Sequence, residues 1–249
     1  MAANEVAAGV YRVESAGHVN WYLVEDGNRV AAVDAGLPPA WHALRELLAA
    51  IGRSLDDLEA VVLTHAHIDH TGFAEQARRE AGATVLVGAD ERELVQHQLR
   101  GMKSERSPLL YMTHGAARTL MLKMVATGAV LSHPIRDYAT FSDGDELADV
   151  PGRPRVVATP GHSFGHSALH LPERDVLFTG DALVTRDPYT GRTGPRLVAR
   201  AATADVATAL ASLDAIAATR ATTLLPGHGE PWIQGAEHAV ELAREAGAA

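Results

Sequence analysis

Four side chains able to ligate a metal fall within six residues in the run Thr64-His65-Ala66-His67-Ile68-Asp69-His70. The run follows directly on the apolar stretch Leu58 to Leu63, which reads as a buried strand. In a loop leaving the C-terminal end of a strand, His65 and His67 project to one side while Asp69 and His70 turn elsewhere. That divergence suits two adjacent metal ions rather than one. The chain carries thirteen histidines and no cysteine, which excludes disulfides, thiolate zinc sites, iron–sulfur clusters and cysteine nucleophiles. Any metal must sit on His, Asp or Glu.

Three further segments repeat the context of a strand running into a glycine-containing turn that carries a ligand type. They are Ala158-Thr159-Pro160-Gly161-His162, Leu177-Phe178-Thr179-Gly180-Asp181 and Leu224-Leu225-Pro226-Gly227-His228-Gly229. Glycine and proline let the backbone turn sharply and leave the imidazole or carboxylate projecting from the strand end. A lone histidine in such a loop is ordinarily a solvated turn residue; four ordered segments together point to a metal centre. Two divalent ions roughly 3.5 to 4 Å apart share a water whose pKa falls toward about 7, so that a metal-bridging hydroxide is available as nucleophile at neutral pH. An electrophilic carbonyl or phosphoryl oxygen binds one ion, and Asp69 is placed to orient the hydroxide and take up its proton. Such a site needs no Ser-His-Asp arrangement.

With these motifs in this order the chain resembles the metallo-β-lactamase-fold hydrolase superfamily over essentially its whole length, in the dinuclear, glyoxalase II/lactonase-like branch. The resemblance implies an αββα sandwich with the site at the strand-end edge between two sheets. It implies that His65, His67 and His162 hold the first metal, that Asp69, His70 and His228 hold the second, and that Asp181 bridges both. Zn2+ suits imidazole and carboxylate first, with Mn or Fe chemically reasonable. Asp34, in Val33-Asp34-Ala35-Gly36, resembles the aspartate that braces the His-rich loop in this superfamily. His166, in Gly161-His162-Ser163-Phe164-Gly165-His166, is expected behind the ligands rather than among them. His18, His97, His114, His133, His170 and His238 read as surface or satisfied core residues, and His42 as structural beside Trp41.

Departures from the superfamily's branches narrow the reaction. Class B β-lactamases lack the bridging aspartate and are usually exported, glyoxalase II enzymes add a C-terminal glutathione-binding region, and the nuclease branches carry extra domains or motifs. The expected function is a dinuclear metal-dependent hydrolase acting on a small-molecule ester, lactone or thioester of partly apolar character, with phosphodiesters and β-lactams less favoured. The alternative is a mononuclear iron oxidoreductase like persulfide dioxygenase, which Gly180-Asp181-Ala182-Leu183 followed by Gly191-Arg192-Thr193 loosely resembles. The complete set of second-metal ligands opposes it.

The elements that must position these residues alternate in pattern. Val10 to Val13, Val19 to Glu25, Val30 to Val33, Leu58 to Thr64 and Thr84 to Val87 read as strands, with helices over Ala40 to Ile51 and Phe73 to Ala81. A second β-rich group covers Arg155 to Thr159, Ser167 to Leu171 and Val176 to Thr179. A helix from Thr203 to Ala218, a strand from Thr222 to Leu225 and a helix from Ile233 to Ala246 follow. Strands in two groups flanked by helices give an α/β layered sandwich, expected as a single domain over 1–249. Asp90 to Val130 reads as a helical insertion holding four of the chain's five methionines, Met102, Met112, Met121 and Met124. Methionine adapts to irregular apolar surface, so Met112 and Met121 are expected to wall the cleft as a lid, with core packing or a homodimer contact as the other reading. The loop after Asp181 offers Tyr189 and Arg192 to a substrate.

Composition sets the outer bounds. The 249 residues are 47% apolar and 21% charged, enough for a substantial core. A net charge of −9 argues against non-specific binding to nucleic acid or an anionic membrane, even though basic residues outnumber acidic ones within the insertion. The first residues show no leader pattern, which makes the cytoplasm the expected location.

Overall fold

The computed structural model of the chain describes residues 4–131 and 134–249; His133 lies outside them. Strands β1 (Asn4–Ala7), β2 (Val10–Ser15), β3 (Val19–Asp26), β4 (Arg29–Val33), β5 (Leu58–Val62), β6 (Thr84–Gly88) and β7 (Ala139–Phe141) form one sheet in sequential order. The pairings from β1 to β4 are antiparallel and those from β4 to β7 parallel. Helices α1 (Ala40–Ala50) and α2 (Ala74–Glu80) make the connections between the parallel strands. A second sheet has the order β13-β10-β9-β8, built from β8 (Arg155–Ala158), β9 (Ser167–Leu171), β10 (Val176–Gly180) and β13 (Thr223–Pro226). A separate hairpin pairs β11 (Val184–Arg186) with β12 (Thr193–Arg196).

The two-residue period of each strand sorts its side chains into layers. Tyr22, Val24, Ala31, Val33, Ala60 and Val62 of the first sheet meet Val156, Leu169, Val176, Phe178 and Leu225 of the second in one core between the sheets. Their neighbours Trp21, Leu23, Val30, Ala32 and Val61 face the other way, onto Leu44, Leu48, Phe73 and Ala77 of the α1/α2 layer. Behind the second sheet, Ala168, Leu177 and Leu224 pack on Leu213, Ile216, Ala239 and Val240 of α6 (Val206–Ala218) and α7 (Ala236–Ala246). The result is the expected αββα sandwich. No helix among the described residues is long and apolar enough to cross a membrane.

This topology collects the site. Strands β4 and β5 are parallel, so their C-terminal ends deliver Asp34 and the His65 to His70 loop side by side. Parallel β10 and β13 do the same for Asp181 and His228, and β8, antiparallel to β9 as β10 is, points His162 to the same edge.

The segment between β6 and β7 is helical but broken into pieces: α3 (Arg92–Gln96), α4 (Gln98–Gly101), a 3-10 turn over Pro108–Thr113 and α5 (Gly115–Ala126). Helix α6 begins at Val206 because Asp205 caps it, its side chain accepting from Thr208 N at 2.9 Å. Helix α7 begins at Ala236, since Trp232 still bridges Leu224 as an extended residue. Phe178, 1% exposed and 5.2 Å from the Tyr22 ring, fills the inter-sheet layer. Phe178→Ala is expected to cost about 3–5 kcal/mol, a fall of roughly 6–20 °C in Tm by calorimetry for a chain of this size; an unchanged Tm contradicts this packing.

Candidate metal centre

The His-rich loop starts where β5 ends, and its first turn is fixed by Asp34. That residue sits at φ 59°, a left-handed conformation that aspartate tolerates better than most side chains. Its carboxylate accepts from Thr64 N at 2.8 Å and from the Thr64 hydroxyl at 2.9 Å. It also lies 2.9 Å from His70 Nδ1. The Thr64 oxygen in turn lies 3.0 Å from His65 Nδ1. With each Nδ1 occupied by a hydrogen on this network, the Nε2 lone pairs of His65 and His70 face the cleft. His228 follows the same rule, its Nδ1 donating to the His18 carbonyl at 2.5 Å.

Two donor sets result, spanned by a third group of His65, His70 and Asp181. His65, His67 and His162 converge with ligand atoms within 4.8 Å of one another, as do Asp69, His70 and His228. Within the first set, His162 Nε2 and His67 Nδ1 approach to 2.8 Å. Asp181 stands between them: Oδ1 is 3.6 Å from His70 Nε2, and Oδ2 is 3.4 Å from His162 Nε2 and 3.2 Å from His228 Nε2. Asp69 Oδ2 lies 3.6 Å from His228 Nε2 and 3.9 Å from His70 Nε2. Only a glycine fits at 227, where a Cβ would come within 2.2 Å of Asp181 Oδ1.

The residues fit a pair of divalent cations. His65 Nε2, His70 Nε2 and Asp181 Oδ1 are buried with no hydrogen-bond partner, a costly state for three polar atoms unless a cation shares their lone pairs. Asp34, Asp69, Glu91 and Asp181 are all buried, and among the described residues none pairs with a lysine or arginine. Nitrogen and oxygen donors without sulfur match zinc, manganese or iron.

The electrostatics of the metal-free chain say the same. Burial, then the neighbouring histidines, hold the His65 imidazole well below its ordinary range. His162 is likewise well below, through burial and His67. His70 goes the other way: burial pulls it down, but Asp181, Asp34 and Asp69 push it up to about 10. His228 also rises against its burial, through Asp181. For Asp181, burial opposes ionisation, yet His228 and His70 hold its carboxyl well below the usual range.

His166 uses both ring nitrogens behind the site: Nε2 accepts from Asp181 N at 3.0 Å, and Nδ1 lies 2.8 Å from the Thr159 hydroxyl. It therefore positions the Asp181 backbone. Tyr189 joins the apolar cluster of Leu37, Ile68, Leu120 and Met124, with Asp187 accepting from its backbone N at 3.2 Å. Its phenol is raised by burial and then by Asp69, Asp187 and Asp181. Arg192 lies exposed at the turn between β11 and β12. Met112 packs with Tyr111 and Tyr189. Met121 is 41% exposed on the outer side of α5, whereas Leu120 and Met124 of that helix turn inward. Met102 packs against the α1/α2 core instead.

Several contributors escape the sequence reading: the Thr64 and Thr159 hydroxyls, the His18 carbonyl, buried Glu91, and Asn20, whose side-chain amide donates to Pro226 O and Gly229 O around His228. The run Gly161-His162-Ser163-Phe164-Gly165 has the spacing of a serine-hydrolase elbow, a match the sequence reading also misses. It joins two strands rather than a strand and a helix, and Ser163 Oγ is buried without a hydrogen-bond partner, so no base activates it.

Asp181, Asp34 and Asp69 favour a protonated His70 in the metal-free chain, so an incoming ion must displace that proton to reach the Nε2 lone pair. The raised value stabilises the metal-free fold below the ordinary imidazole range, and that contribution is lost as the pH rises through about 10. Calorimetric titration of Zn2+ into the metal-free chain, in buffers of different ionisation enthalpy, is expected to show net proton release near neutral pH and tighter binding as pH rises. Zinc uptake without proton release contradicts this charge state.

The Metallo-beta-lactamase superfamily profile matches residues 15–228. Among solved structures, the metallo-beta-lactamase family protein TTHA1429 from Thermus thermophilus is 28% identical with a TM-score of 0.70, covering 97% of this chain and 80% of its own. TTHA1623, solved in a di-iron-bound form, is 26% identical with a TM-score of 0.62, covering 90% and 94%. Acyl-coenzyme A thioesterase MBLAC2 of Gallus gallus is 30% identical over 179 residues, 68% of this chain and 59% of its own length. Against several curated relatives, MBLAC2 included, the chain spans 46% to 63% of their length. Profile, fold and the buried His/Asp clusters agree: the chain belongs to the metallo-β-lactamase superfamily.

Proposed function

We propose that the protein is a metal-dependent hydrolase that uses two divalent ions, zinc in the first place, on a small-molecule ester, lactone or thioester. The observation that carries this reading is the convergence of two buried donor sets on Asp181, with the lone pairs of His65 and His70 left unpartnered. A mononuclear iron oxygenase would leave the buried Asp69, His70 and His228 set without its cation, and it is the weaker reading for that reason.

When bound, two such ions supply a hydroxide at neutral pH and a Lewis acid for the acyl oxygen. The chain's own groups do the rest. Asp69, at 8% exposure the most open of the seven donors, keeps Oδ1 free of hydrogen bonds among the described residues and can accept a proton at that atom. Tyr189 remains a phenol at neutral pH, so its hydroxyl is a hydrogen-bond donor for a substrate oxygen. Leu37, Ile68, Leu120 and Met124 form a buried apolar cluster that packs the insertion against the His-rich loop, and an acyl chain that reaches the metals is placed against it, out of water. MBLAC2 is named as an acyl-coenzyme A thioesterase, which supports placing thioesters first in a substrate panel.

A panel of lactones, thioesters and phosphodiesters tested on the metal-replete chain is expected to show turnover of an acyl substrate; exclusive phosphodiester cleavage contradicts the assignment. Asp181→Asn is expected to lower kcat by about two orders of magnitude or more with little change in substrate affinity, because it removes the charge between the ions rather than the organic pocket. Full turnover with both metals retained contradicts the bridging role. Leu120→Ala and Met124→Ala are expected to flatten the dependence of KM on acyl length, where each buried methylene is worth about 0.8 kcal/mol. An unaltered chain-length series removes the apolar wall from the account.

A further inference from the structure

Glu91 is a buried carboxylate that the metal-ligand pattern leaves out. It ends a 3-10 turn, Ala89–Glu91, that follows β6, and it is 1% exposed. Its Oε2 accepts from Ala66 N at 2.8 Å, the residue between His65 and His67. Its Oε1 accepts from Gly165 N at 2.9 Å, in the loop between His162 and His166. One side chain thus ties together the backbones of the two loops that carry the first donor set. The approach is built for it: a Cβ at Gly165 would lie 2.6 Å from Glu91 N and 2.8 Å from Glu91 Cγ, and a Cβ at Gly88 would lie 2.4 Å from Gly165 O.

The need for such a tie shows in the hydrogen bonds of the ligands themselves. His65, His70 and His228 are oriented through the nitrogen that faces away from the cleft, by Thr64, Asp34 and the His18 carbonyl. His162 has no equivalent, its Nδ1 being buried without a partner. His67 turns Nδ1 itself toward His162, and none of the hydrogen bonds among the described residues reaches its Nε2. The placement of these two imidazoles therefore falls on the backbone, and Glu91 holds that backbone on both sides. No lysine or arginine pairs with Glu91 among the described residues, and the carboxylate raises the affinity of His67 for a positive charge.

We propose that Glu91 is a positioning residue for the first metal: it locks the 65–67 and 162–166 loops into register, sets the His67 to His162 spacing, and adds a negative charge beside a cation bound there. This rests on the dinuclear reading above. Asp34 works differently: it orients His70 of the second set directly and His65 of the first set through Thr64, whereas the contacts of Glu91 are confined to the two loops of the first set.

The test is competitive titration of metal-free full-length protein with Zn2+ against a chromophoric chelator. It is paired with Co2+ absorption spectra and with zinc-edge anomalous occupancies at one equivalent of metal. Glu91→Gln keeps the volume but replaces one acceptor with a donor and removes the charge. It is expected to weaken the equivalent held by His65, His67 and His162 by about 10 to 100-fold and leave the other nearly unchanged. Asp34→Asn, which touches His70 directly and His65 through Thr64, is expected to weaken both equivalents, a contrast with the one-sided loss in Glu91→Gln that general loss of stability does not produce. If Glu91→Gln fails to fold by circular dichroism, Gly165→Ala presses on the same contact from the opposite loop with Glu91 intact, and the same selective loss is expected. Wild-type affinity at the first set in either folded variant overturns the proposal. A wild-type chain that takes zinc only at the His70 set overturns the dinuclear reading with it, whereas two ions in wild type and two equally tight ions in Glu91→Gln overturn the Glu91 role alone.

Discussion

Burying this many ionisable groups in one cleft imposes the constraint on which the rest of the site depends. Asp34, Asp69, Glu91 and Asp181 lie with six imidazoles at a strand-end edge, nearly out of reach of solvent. A buried carboxylate without a counter-charge is expensive, and histidine protons alone do not satisfy the bare Nε2 atoms of His65 and His70. Divalent cations resolve both problems at once, neutralising the acids and using the lone pairs. The arrangement is therefore understandable as a holo-site whose scaffold keeps its ligands poised.

That scaffold works from behind. Parallel pairing of β4 with β5 and of β10 with β13 brings three of the ligand-bearing turns, together with Asp34, to one edge, while interdigitated side chains between the sheets fix the distance across it. Hydrogen bonds from Asp34, Thr64 and the His18 carbonyl then choose which ring nitrogen faces the cleft. His166 turns its ring to the Asp181 backbone rather than to a cation. Stability and chemistry are coupled through these contacts, because Asp34 and Thr64 are themselves buried and each of them, like His18, sits at the end of a strand of the first sheet.

The parts of this that were legible in the sequence are those written in local spacing. His65, His67, Asp69 and His70 stand in one run, and His162, Asp181 and His228 each follow a strand pattern with glycine at the turn. The layered αββα order was legible because the strands and helices alternate in period. Strands β1, β7, β11 and β12 were not, being three or four residues long and, in β12, containing glycine and proline that read as a turn. Glu91 was hidden because its partners lie 25 and 74 residues away, and no local pattern marks a carboxylate that will accept two remote backbone N–H groups. Among the methionines of the insertion, Met121 differs from Met124 for a related reason. Residue type suggested Met121, but helix phase decides which side chains face inward, and it selects Leu120 and Met124.

The central claim is that seven side chains form one dinuclear centre. A crystal structure of the metal-replete protein with anomalous data at the zinc edge tests it most directly. Two peaks roughly 3.5 to 4 Å apart, one within bonding distance of His65, His67 and His162, the other of Asp69, His70 and His228, with Asp181 touching both, are the predicted result. A single fully occupied peak, with His228 Nε2 turned away from it, contradicts the account.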